Sequence, residues 1–256
     1  MRLVYLLPVV VVTVYLSTCG LAQAQLIDFE ATPGGGTPAD DTPITPYNLT
    51  GGGTVSFFFD TNLNNTFDSG IDGDAIYEAA GMDGTDAFAN GGLGVPDTAS
   101  TPAFAAQLGN FFARALVPFA VPDPFIIDYN TTQTISALSG EIWDIDGASQ
   151  GTELWQVDVL DNSAVILASQ LSPLGNSSAL DGRPWTFAFT GLPAGVDKVR
   201  LTFLGTKPAG VGLAFNNFSP TTAVPEPSAA VLLGTGVLAI VLVRRRRGRA
   251  ALTAMS

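Results

Sequence analysis

Histidine is absent from all 256 residues, and cysteine occurs once, at Cys19. Without imidazole there is no Ser-His-Asp or Cys-His catalysis, and the commonest general base is missing. A zinc centre, which draws on imidazole and thiolate, is not expected. Cys19 lies in an apolar N-terminal run; once that run is removed, no disulfide or thiol nucleophile remains. Basic residues are scarce and sorted to the ends. Arg2, Arg244, Arg245, Arg246, Arg247 and Arg249 leave only Arg114, Arg183, Lys198, Arg200 and Lys207 between them, against every acidic residue except Glu226. Five basic minus 22 acidic residues gives that middle part a net charge of −17. Such a surface repels nucleic acid and anionic glycans and suits divalent cations, so no nucleic-acid partner is expected.

What is present at the ends concerns export. Met1-Arg2 precedes LVYLLPVVVVTVYLSTCGLA and then AQA, a short basic region, an apolar stretch and small residues at Ala22 and Ala24. This predicts a secretory signal helix over 1–24, handled by the Sec translocation machinery and cut after Ala24. A lipoprotein signal built on LSTC is the alternative, and Thr18 before Cys19 fits it poorly. Residues 224–250 read VPEPSAAVLLGTGVLAIVLVRRRRGRA. The uncharged run from Ala229 to Val243 would measure roughly 23 Å as a helix, against a hydrocarbon core of about 30 Å. Snorkelling arginines make up most of the difference, and they orient the segment with Arg244 to Arg247 in the cytoplasm. A single C-terminal transmembrane helix and a cytoplasmic tail at 251–256 follow.

In Val224, Pro225, Glu226, Pro227 and Ser228, in the glycine-containing apolar stretch, and in Arg244, Arg245, Arg246 and Arg247, this segment resembles the PEP-CTERM sorting domain of Gram-negative bacteria that make exopolysaccharide. The resemblance implies an exosortase as partner, a membrane-embedded cysteine protease-like transpeptidase, with processing near Pro225-Glu226-Pro227. The prolines would keep the backbone before the helix extended and accessible. A plain single-pass anchor that is never cut is the alternative.

Residues 25–223 read as one acidic all-β domain, a jelly-roll-like sandwich of roughly eight to ten strands. Alternation is clear in PWTFAFT, DKVRLTFL and TELWQVDVLD, and further strands are expected at 26–30, 54–60, 125–129, 133–146, 163–170 and 211–218. Turn signals such as LDNS, LDGRP and GTKPAG separate them. AFAAQLGNFFARAL (103–116) suits either a short amphipathic helix or another strand, and 31–53 and 79–102 read as loops. In many such sandwiches the first and last strands pair, which would place LIDFE beside GLAFNNF. Other exported PEP-CTERM proteins resemble this arrangement but end in an FDN-like strand, where this chain has Asn216 and Asn217.

Oxygen chemistry remains. Asp60, Asn62, Asn64, Thr66 and Asp68 alternate as calcium-loop ligands do, with Asp72, Asp74 or Glu78 available to complete the shell. Asn65 stands where an EF-hand has glycine and Ile71 where it has glutamate, so a looser structural Ca²⁺ site is weighed against a solvated loop held by Asx-turns. Glu30 with Asn216 or Asn217, across the first and last strands, is a second candidate metal site. For sugar stacking the least obviously buried tryptophan is Trp143; Trp155 and Trp185 suit the core. Asp144 and Asp146, at i and i+2, would share one face of a strand, and nothing separates an acid from a base there. No catalytic residues are assigned. The expected function is a structural or adhesive component of the cell surface or of an exopolysaccharide or biofilm matrix. A calcium-dependent carbohydrate-binding module is the first alternative, and a glycan-acting hydrolase the second.

Overall fold

The computed structural model describes residues 23–81, 98–117, 121–148, 151–176, 180–209, 211 and 214–223. The expected sorting segment, transmembrane helix and tail at 224–256 lie outside the described residues, as does the expected signal helix but for Gln23 and Ala24. Among the described residues no helix is long and apolar enough to cross a membrane.

In chain order the elements are β1 (Gln23–Ala24), β2 (Thr42–Pro43), β3 (Tyr47–Asn48), β4 (Thr54–Phe59), β5 (Gly73–Ala79), α1 (Pro102–Leu108), β6 (Phe111–Ala115), β7 (Phe125–Asn130), β8 (Thr134–Trp143), β9 (Gly147–Ala148), β10 (Gly151–Thr152), β11 (Trp155–Asp161), β12 (Ile166–Leu171), β13 (Pro184–Thr190), β14 (Val196–Phe203) and β15 (Ala214–Ala223). The protein is mostly β, and its main ladder runs β12-β11-β14-β7-β4-β5-β6-β15-β8-β13. At its middle β4 and β5 share only two residue pairs, Phe58 with Asp74 and Phe59 with Gly73. Five strands lie on either side of that narrow join, and side chains from both sides fill one core. Val55, Phe57, Phe125, Ile127, Trp155, Val157, Val199 and Leu201 from one side meet Tyr77, Ala113, Ile142, Phe187 and Phe215 from the other. Phe125 and Phe215 stack across the middle at 4.3 Å with 4° between their planes, and Trp155 meets Phe215 edge-on at 5.7 Å. Period-2 alternation turns these aromatics inward, while the other faces also carry buried apolar residues such as Phe58, Ile76 and Ile126. The outermost strands come close enough that the Ala188 N–H of β13 donates to Oε1 of Gln170 in β12 at 3.4 Å, so the sheet is nearly barrel-like.

The segment 103–116 proves to be helix and strand in succession. Thr101 caps α1 by accepting from the Phe104 N–H, Pro102 fits the first turn, and Gly109 at φ +80° ends the helix before β6 begins. On the outer face of β8 and β15, α1 covers a small second core of Leu108, Phe112, Trp143 and Ala214. The first and last strands do lie side by side. Ile27 N–H donates to Phe218 O at 2.8 Å, Phe218 N–H returns to Ile27 O at 3.0 Å, and Gln23 and Ala24 continue the pairing opposite Thr222 and Thr221. Gln25 N–H continues the ladder by donating to Pro220 O at 3.2 Å, and its side-chain amide brackets the turn at Asn48 and Thr50, donating to Asn48 O and accepting from Thr50 N–H.

Candidate functional site

The candidate calcium loop begins where β4 ends. Asp60 is buried, its N–H donating to Pro124 O at 2.9 Å. Its carboxylate turns back into the loop, Oδ1 accepting from Asn64 N–H at 3.2 Å and Oδ2 from Asn65 N–H at 2.7 Å. Asn62 and Asn64 continue the series, each accepting from the N–H two residues on. Both amides also donate to one oxygen, Oδ2 of Asp68, at 2.7 Å. These two donors hold the Asp68 carboxyl below its ordinary value. Asp72 closes the loop by accepting from Thr61 and Asp68 N–H. Thr66 lies on the exposed side, its N–H bonded to Asn64. Asn65 adopts φ +60°, the left-handed conformation that glycine would supply, and asparagine tolerates it.

The loop is docked on the outer face of β11 and β14. Arg200 Nη1 donates to Asn65 Oδ1 at 3.3 Å and Nη2 to the buried Asp158 at 2.9 Å. Gln156 and Ser169 donate to the other Asp158 oxygen. Burial works to raise the Asp158 carboxyl, but these three donors together hold it below its usual value. A cleft of about 250 Å³ opens here, lined by Asp60, Leu63, Asn65, Gln156, Asp158 and Arg200 among others.

Glu30 and Asn217 approach one segment without bonding to each other. Glu30 accepts from the N–H groups of Asn110 and Phe111 and from the Asn110 amide. Gly109 beside it has φ +80° and ψ −152°, backbone that favours glycine, and a methyl there would also push the Glu30 carboxylate aside. Asn216 donates to Leu108 O at 2.6 Å, and Asn217 donates to Gln107 O at 3.0 Å and to Glu141 at 2.8 Å. The two asparagines thus satisfy carbonyls left unpaired at the C-terminus of α1. Glu141 also accepts from Gln107 and from the Trp143 indole, so it is the hub of this network. No local sequence pattern marks it.

Trp143 is fully buried, with Phe104 edge-on at 6.4 Å, and presents no ring face to solvent. Trp155 is equally buried, and Trp185 is half-buried on β13. Asp144 and Asp146 do not lie along a strand face: β8 stops at Trp143, Asp144 takes φ +66°, and both belong to the turn that follows.

Set against known families, residues 223–247 match the model of the PEP-CTERM protein-sorting motif. The chain therefore carries that motif, which implies an exported protein, transiently anchored in the membrane and processed by an exosortase. A search of curated proteins finds no match to this chain.

Proposed function

We propose that the domain between the export signals is a non-catalytic component of the cell surface or of an exopolysaccharide matrix, structural or adhesive in role, with a jelly-roll-like architecture. The observation that carries this reading is the sorting motif joined to a single acidic β domain with its own core. A strain expressing the chain without residues 224–250 should release the domain from the cell surface and lose retention on its own polysaccharide. Retention of the purified protein with release of reducing ends would replace this reading with a hydrolase.

The Asp60 loop fits a structural Ca²⁺ by its donor set: carboxylates at Asp60, Asp68 and Asp72 and amide oxygens at Asn62 and Asn64 around one short loop. Calcium should raise the melting temperature saturably relative to chelator, and Asp60→Ala/Asp68→Ala should remove most of that shift. Equal shifts in both proteins would sink the assignment. A second reading, calcium-dependent carbohydrate binding, draws on the cleft beside the loop, where the planar Gln156, Asp158 and Arg200 side chains sit together. Competition by one defined sugar would support it over general matrix adhesion.

A further inference from the structure

Away from that loop, Asp144, Asp146 and Asp181 each bring a carboxylate oxygen within 4.8 Å of the others. The backbone holds them there. Gly182 N–H donates to Asp144 Oδ1 at 2.8 Å, Asp144 N–H to Arg183 O at 3.0 Å, and Asp146 N–H to Asp144 O at 2.9 Å. Neighbouring segments press together through glycines: a methyl on Gly175 would lie 2.5 Å from Asp146 O, and one on Gly147 would lie 2.4 Å from Asn176 Cα. These contacts fix the main chain from which Asp144 and Asp146 project, and the Gly182 N–H fixes the Asp144 carboxylate itself.

An independent observation comes from Glu153, which is 0% exposed. Its Oε1 accepts from Lys207 Nζ at 2.7 Å, the same ammonium donates to Asp146 Oδ1 at 3.1 Å, and Asp144 and Asp146 are the acids whose charge Glu153 feels, so it borders the cluster. Its Oε2 has no hydrogen-bond partner among the described residues. A buried carboxylate oxygen without a donor is costly and calls for a partner. Among the described residues, Lys207 is the one ammonium bonded to these carboxylates. Arg183, the next cation, bonds to Ser100, lies over the Phe104 ring at 5.8 Å, and also draws on Asp181 from the side, so two cations stand against four carboxylates.

We infer that this corner binds a divalent cation of the calcium class, ligated by Asp144, Asp146 and Asp181 and faced by the free oxygen of Glu153. Calcium accepts an irregular shell of oxygen ligands, whereas magnesium demands near-ideal octahedral geometry, so carboxylates drawn from separate segments suit calcium better. Lys207 engages one oxygen each of Asp146 and Glu153 and leaves the others for the ion.

The test uses the full-length chain in detergent, carrying Asp60→Ala/Asp68→Ala so that the loop does not contribute. Tb³⁺ replaces Ca²⁺, and its emission is excited through tryptophan, since Trp143 adjoins Asp144 in sequence and Trp155 lies two residues from Glu153. The expected result is saturation at one equivalent, displacement by Ca²⁺, and affinity weakened about tenfold or more in Asp146→Asn/Asp181→Asn. Lys207→Gln, which removes a like charge, should bind on the order of tenfold tighter, a gain that a folding defect cannot imitate. Folding of each variant is checked by near-ultraviolet circular dichroism. No sensitised emission from folded protein, emission unchanged in Asp146→Asn/Asp181→Asn, or no gain in folded Lys207→Gln would overturn the assignment.

Discussion

The Asp60 loop and the Asp144 corner are both built from carboxylates, and they neutralise them in opposite ways. In the loop each acidic side chain finds donors nearby in the sequence, chiefly backbone N–H groups and asparagine amides. In the corner the carboxylates come from distant segments, crowd one another, and share one ammonium. A carboxylate satisfied by local donors stays ionised at little cost, whereas one buried among its own kind holds a proton or needs a cation. Burial first, and then the neighbouring acids against the opposing bonds, push Asp144 up to about 7 and Glu153 up to about 8.

The strongest break in this comparison is steric. Gly175→Ala should cost about 3 kcal/mol or more in urea unfolding, because the new methyl meets main chain. Gly73→Ala, at the far end of the loop and 3.6 Å from Phe59 Cβ, should stay within about 0.5 kcal/mol. Next, Arg200→Met should cost about 2 kcal/mol, since Asp158 is left buried without its cation while the arginine itself is partly exposed.

Smaller but more telling is the pH response in chelator. Asp144 and Glu153 are raised in the folded state, so the stability they give is full below the unfolded values near 4 and is lost as pH rises through about 7 to 8. Asp158 is lowered, so its contribution is present above the unfolded value near 4 and lost as pH falls below it. Melting temperature should therefore decline between about pH 5 and 8, and Glu153→Gln should flatten that decline; an unchanged slope would mean that the corner is already neutralised. Smallest is the loop backbone. Asn65→Ala should cost about 1 kcal/mol for the left-handed conformation, and Asn65→Gly less, by equilibrium unfolding.

These two regions were unequally legible. The loop's alternation is local, so Asp60 through Asp68 could be read as a unit, even though Asn65 departs from the glycine pattern. The corner could not: Asp181 and Glu153 meet Asp144 only because β8, the bridge between Glu153 and Gly175, and the turn before β13 are brought together by the fold. For the same reason Trp143 read as accessible among its acidic neighbours, while α1 covers it. The strands with clear alternation, β11, β13 and β14, stood out, β4 and β7 were expected from short apolar runs, and the pairing of first and last strands was expected. β5 was hidden because Ile76 and Glu78 are buried on its other face, which blurs its period. In the segment 103–116 a single glycine divides two elements that share one apolar pattern.

The pairing of β15 has a mechanical consequence. This strand leads into the sorting motif, and it is flanked by β8 along most of its ten residues, by β6 at Phe215 and by β1 near its end. A pull on Ala223 along the strand therefore loads the long β8 ladder in shear, with many hydrogen bonds strained together, instead of opening them one at a time. Tension applied at Ala223 thus enters this domain through a strand flanked on both sides.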